Sequence, residues 1–167
     1  ERQSLIGLPV IVLTGIGISW AGSQGGVVTT RGLPLFALCG IVAFAVNWLV
    51  FIHAYRGRTE HLFDLTGGLT YAAVTVLALG LAGPQEPRSL ILSGMIIMWA
   101  GRLASFLFVR IRRQGSDGRF DEIKTSFLRF LLAWTLQGLW VFLTLSCALA
   151  APYAARAASA LCAAFCS

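Results

Sequence analysis

The ionisable residues of the chain gather into a few short clusters, and these bound the chemistry open to it. The densest is Arg110-Ile-Arg-Arg-Gln-Gly-Ser-Asp-Gly-Arg-Phe-Asp-Glu122. Guanidinium groups suit phosphate recognition, so Arg110 and Arg119, with Asp121 beside them, could form a surface for a phosphate-bearing cofactor. The alternative is a basic loop with internal ion pairs, drawn to anionic lipid head groups. The cluster holds neither a P-loop nor the dinucleotide glycine fingerprint. A second polar segment, Arg56 to Tyr71, contains Glu60, His61 and Asp64. It reads either as a solvated loop with Asp64 capping the next helix, or as a pocket mouth lined by Glu60 and Asp64. Arg102 stands alone inside an apolar run, about 10 Å from that run's end near Val109. A charge at such depth costs a few kcal/mol, so it snorkels, pairs, or faces a wet cavity. Glu60 and Asp64 are its candidate anionic partners.

Other polar residues lie within apolar runs. Asn47 and Gln137 are bulky and costly to bury, so each calls for a partner; Thr75, Ser93, Ser105 and Ser146 suit hydrogen bonds between helices. Gly94 and Gly101, seven apart, give their helix a narrow face for close approach. His53 and His61 flank a glycine-containing loop and share no helical face, so an interfacial role outweighs metal or tetrapyrrole ligation. Cys39 and Cys147 read as small apolar residues, and Cys162 and Cys166 have no second pair or nearby His, so no metal site or disulfide framework is expected. No nucleophile triad is visible.

The elements that must position these residues are long and apolar. Of 167 residues, 57% are hydrophobic and 12% charged, against about 25% charged in an ordinary soluble domain. A soluble fold of this size could not bury five such runs, whereas a bilayer solvates them; the expected fold is an all-α, polytopic membrane protein with about five transmembrane helices. The runs cover residues 5–20, 33–55, 65–81, 89–109 and 127–150, forming one domain over 1–151. Residues 152–167 read as an Ala-rich surface tail, too short to span. Gly83-Pro84-Gln85-Glu86-Pro87 marks a turn, and no internal repeat is evident.

The net charge is +6, with 12 of 13 basic residues Arg, concentrated in the segments between runs. That placement argues for membrane topology and against nucleic-acid binding. Arg2, Arg56, Arg58 and the 110–129 stretch fall on one side, which the positive-inside rule assigns to the cytosol, matrix or stroma together with the N-terminus. The start at Glu1, without Met, suggests a processed N-terminus.

Trp99-Ala-Gly-Arg102-Leu-Ala-Ser-Phe106-Leu-Phe-Val-Arg110-Ile-Arg-Arg-Gln-Gly115-Ser-Asp117-Gly-Arg119-Phe120-Asp121 resembles a signature of the steroid 5-alpha-reductase-like membrane proteins, closest to a bacterial, algal and plant branch known only as a domain of unknown function. Thr59-Glu60-His-Leu-Phe-Asp64-Leu-Thr66-Gly67-Gly-Leu-Thr70-Tyr71 and Trp134-Thr-Leu-Gln137-Gly138-Leu139-Trp140 support it in order and spacing. The resemblance implies a membrane reductase fold with NADPH as cofactor and a lipid-like enone as substrate. It places Arg102, Arg110, Arg119 and Asp121 on the cofactor side. Glu60, Asp64, Tyr71, Asn47 and Gln137 are assigned to a substrate or lipid pocket, and no residue receives a catalytic role.

Family members continue beyond the Gln-Gly-Leu-Trp helix into a Trp-rich acidic segment and a late Arg-His-Pro-Asn-Tyr-type motif, which have no counterpart before Ser167. The leading expectation is therefore a non-catalytic accessory subunit of a larger membrane complex, without a cofactor, in a mitochondrial inner or thylakoid membrane. Its partners would be other membrane subunits and lipids. The alternatives are an NADPH-dependent reductase, and a lipid- or pigment-binding scaffold.

Overall fold

Five apolar runs become five helices because a chain in hydrocarbon must satisfy its backbone N–H and C=O groups internally. The computed structural model describes residues 2–24, 28–29, 32–82, 87–114, 123 and 125–165. The helices are α1 (Arg2–Ser23), α2 (Leu35–Gly57), α3 (Phe63–Leu81), α4 (Pro87–Gln114) and α5 (Phe127–Phe165). All five contain stretches long and apolar enough to cross a membrane: Ser4–Ser23, Leu35–Gly57, Phe63–Leu81, Pro87–Arg113 and Phe127–Ala150. The shortest, at 19 residues, covers about 28 Å. Among the described residues there is no strand, only an isolated bridge between Val28 and Pro34. The protein is an all-helical, polytopic membrane protein.

The helices outrun the apolar stretches that mark them. Arg110–Arg113 continue α4 rather than opening a loop. Cations at a helix C-terminus meet the negative end of its dipole, and Arg112 lies over the Phe108 ring at 5.5 Å. Arg102 is consequently about 18 Å from the end of α4, not 10 Å. α5 runs past Ala150 through the Ala-rich stretch to Phe165, in keeping with the high helix propensity of alanine. Between α2 and α3 the chain reverses in a few residues. Arg58 takes a left-handed conformation (φ 46°), and the next amide, Thr59 N–H, donates back to the Ala54 carbonyl at 3.0 Å, closing the helix end as a Schellman-type turn. Asp64 is not the cap of α3. Leu62 holds that position, and Asp64 sits in the first turn, where a carboxylate favours the helix N-terminus.

α5 packs against α1, α2 and α3; α2 also meets α1 and α3; α4 packs chiefly on α3. One core cluster joins Phe36, Cys39 and Ala43 of α2 to Val74 of α3 and Val141, Phe142 and Leu145 of α5, with the Phe36 and Phe142 rings edge to face at 5.3 Å. A second gathers Phe51, Ala54, Phe130 and Trp134 near the α2–α3 turn. Lipid is as apolar as these side chains, so hydrogen bonds between helices add specificity that hydrophobicity cannot. Asn47 Nδ2 donates to Thr70 Oγ1 (3.3 Å), Trp48 Nε1 to Thr135 Oγ1 (3.1 Å), and Gln137 Nε2 to the Phe63 carbonyl (2.9 Å).

The close approach of α4 does not use Gly94 and Gly101. Both face open space. The approach is made by Gly68 of α3, which lies against Ala100 and Ala104 of α4, so that a Cβ at 68 would overlap the Ala104 methyl. The alanines, four apart, supply the same small-residue ridge from an adjoining face of the helix, Ala104 following Gly101 by three residues.

Candidate functional site

α3 presents two faces. Thr66 and Thr70, four apart and buried, turn toward α2, while Asp64, Gly67, Gly68 and Tyr71 follow the helical period along an adjoining face. That second face, with α4 and α5, bounds a cleft of about 150 Å³. Trp99, Leu103 and Leu107, spaced i, i+4, i+8, line it from α4, and Gln137 and Trp140 from α5. Its wall is mostly apolar. Asp64, Tyr71 and Gln137 bring the polar side-chain atoms that converge on it.

Each polar group is held by its surroundings. Gly67 has no side chain, and a Cβ there would overlap the Gln137 amide, so the glycine is what lets Gln137 reach across to α3. Because Gln137 Nε2 donates to the Phe63 carbonyl, the amide orientation is fixed and Oε1 is left as an acceptor. That oxygen is buried and has no hydrogen-bond partner among the described residues. Tyr71, 8% exposed, shares a hydrogen bond of 2.6 Å with the Thr144 hydroxyl of α5. Its ring stands edge to face with Trp99 at 5.3 Å, which joins α3 to α4. The site thus offers an acceptor without a partner among the described residues, a phenol able to give or take a proton in a hydrogen bond, and a carboxylate, above an aromatic wall.

Of the residues expected to line a pocket, Asp64, Tyr71 and Gln137 are brought together. Asn47 is not among them. An amide on a spanning helix turns away from lipid, and its Nδ2 is engaged by the Ala43 carbonyl (2.8 Å) and Thr70 on the far side of α3. Glu60 also lies outside the cleft, 3% exposed in the turn before α3, where its carbonyl accepts the Phe63 N–H. Arg102 and Arg110 are exposed on α4 and do not line the cleft. Arg102 is not joined to Asp64, because the α4 residues that face α3 are Ala100 and Ala104, and Arg102 projects from the opposite side. Arg119 and Asp121 fall outside the described residues. The aromatic wall of Trp99 and Trp140 and the Thr144 partner were not anticipated; the signals that carry them are the i, i+4, i+8 spacing of Trp99, Leu103 and Leu107 on α4 and the i, i+3, i+7 spacing of Gln137, Trp140 and Thr144 on α5.

Residues 50–165, more than two thirds of the chain, match the family model described as "Protein of unknown function (DUF1295)". No curated protein matches, and no solved structure does.

Proposed function

From the premise that the chain belongs to the DUF1295 family, the steroid 5-alpha-reductase-like branch, we propose that it binds the polar end of an amphipathic, ring-bearing lipid in the cleft between α3, α4 and α5. The observation that carries this reading is the buried Gln137 Oε1, an acceptor without a partner among the described residues, on a mostly apolar wall that it shares with Asp64 and Tyr71. A buried acceptor left unpaired is costly, so the matching ligand atom is a donor such as a hydroxyl. A cavity of ~150 Å³ holds about one aromatic ring, so the cleft takes the head of the lipid and leaves its remainder in the bilayer. Tyr71 can accept from a hydroxyl on that head while it donates to Thr144, and it can donate to a carbonyl, as of an enone lipid, when the Thr144 hydroxyl turns from the Trp140 carbonyl to donate to it. NADPH, implied by the family, does not fit the described lining, which is one ring in size and contains no cation.

Leu103→Trp tests this from the half-exposed side of the cleft, where the larger ring fills space without disturbing the Gly68 contact. The unaltered protein, purified in mild detergent, should release a stoichiometric lipid on organic extraction and label with a photoactivatable enone lipid. The variant should lose most of both. Equal lipid content and labelling in the two proteins would refute cleft binding.

A second reading, an accessory subunit of a larger membrane complex, is favoured by α4, whose packing within the chain is chiefly against α3 alone. In that setting the Arg110–Arg113 end of α4 lies on the cytosolic, matrix or stromal side of an energy-transducing membrane. Native electrophoresis of the solubilised source membrane should find the chain in a large assembly; recovery only as free monomer would remove this reading.

A further inference from the structure

We propose that the outer face of α4 docks a transmembrane helix of another polypeptide that presents an Asp or Glu to Arg102 at mid-membrane depth. This partner chemistry belongs to the subunit reading above and rests on it.

The face is a stripe: Ile91, Met95, Met98, Arg102, Phe106 and Val109 recur at three- and four-residue intervals and are all exposed. Arg102 lies about 22 Å along the helix from Pro87 and about 16 Å from Arg113. Side chains on a helix lean toward its N-terminus, so Arg102 leans away from the nearer, basic end and toward the middle of the span. It has no hydrogen bond or ion pair among the described residues, and a bare guanidinium at that depth is costly.

Depth and charge select the occupant. Lipid phosphates lie at the membrane surface, roughly 15 Å from the centre of a 30 Å hydrocarbon core. A second copy supplies no acid from its described residues, since Glu60 is buried in a turn and Asp64 lines the cleft. What carries a carboxylate to mid-depth with its own backbone satisfied is another helix. Beside the stripe, Gly94 and Gly101 face open space and Ser105 is exposed, so a partner backbone can come close.

The test reconstitutes the full chain, dye-labelled at an added terminal tag, in phosphatidylcholine vesicles. The probe is a synthetic Leu/Ala spanning helix with one central Glu, and energy transfer reports association. The Glu helix should associate at least about tenfold more tightly than the same helix with Gln. Arg102→Gln should erase that margin, and Arg102→Glu should transfer it to a helix with a central Lys. Circular dichroism checks that the variants remain helical. Equal association of the Glu and Gln helices, a margin that survives Arg102→Gln, or failure of the charge exchange in a folded variant would overturn the proposal. So would a margin that appears only with anionic phosphatidylglycerol, which would assign Arg102 to lipid. The designed helix makes these outcomes independent of whether the native protein co-purifies with a complex.

Discussion

Gly68→Val should separate α3 from α4 and cost about 3 kcal/mol or more, the upper range of overpacking at a tight interface. The reason is geometric. A Cβ at 68 would overlap the Ala104 methyl and lie 3.1 Å from the Ala100 carbonyl oxygen, and neither a short side chain nor backbone can swing aside. Gly101→Val and Gly94→Val are the controls, because both positions face open space. They should change stability by less than about 1 kcal/mol, the range of helix propensity. Reversible unfolding in mixed dodecyl sulfate micelles, followed by tryptophan fluorescence, measures all three. Similar losses at 68 and 101 would mean that α4 uses the other face. The 68 variant should also lose the cleft lipid, since Gly68, Ala100 and Ala104 all bound the cleft.

The second large effect concerns Trp134. Its side chain is fully buried, with ring centroids 5.2 Å from Phe63, 6.0 Å from Phe130 and 6.4 Å from Phe51. Trp134→Ala empties the middle of this aromatic cluster and should cost on the order of 3–5 kcal/mol. Trp134→Phe should cost far less. The indole Nε1 has no hydrogen-bond partner among the described residues, so removing it removes an unmet donor as well as some volume. The same micelle titration, followed by circular dichroism, separates the cases. A Phe variant as damaged as the Ala variant would show that the indole N–H is bonded after all.

These two positions show what the sequence makes legible and what it leaves hidden. The spans were readable because twenty apolar residues in a row have one cheap environment, and the five helices fall where those runs predict. Inward-facing polar residues were readable as well: Asn47 and Thr75 interrupt apolar runs and are buried, as the cost of an amide or hydroxyl in lipid requires. Which side of α4 meets α3 was not readable. In water a helix declares its inner face by hydrophobicity, but between lipid and bundle there is little hydrophobic contrast. Small residues occur on two adjoining faces of α4, so Gly94 and Gly101 are as eligible by type as Ala100 and Ala104. Arg102 is placed by the same unreadable rotation: its charge demands a partner, and Glu60 and Asp64 stand at the entry to the third helix on the same side of the membrane, but the face of α4 that carries Arg102 turns away from α3. Asp64, Tyr71 and Gln137 were found because of their types; the wall around them depended on that unreadable rotation of α4.

The position of α5 has a consequence for the order of assembly. Its contacts reach back to α1, α2 and α3, more than a hundred residues earlier in the case of α1. A ribosome delivers it after those helices have entered the membrane, so a four-helix intermediate must persist without Phe142, Trp134 and Gln137. In that interval α2 and α3 are already joined through a short turn and the Asn47–Thr70 hydrogen bond, a pairing local in sequence and therefore quick to form. α1, whose partners are α2 and the absent α5, is meanwhile only half enclosed. Closure of the bundle is thus a long-range, late event, and the stage before it is the one most exposed to capture by an insertion chaperone or quality-control protease.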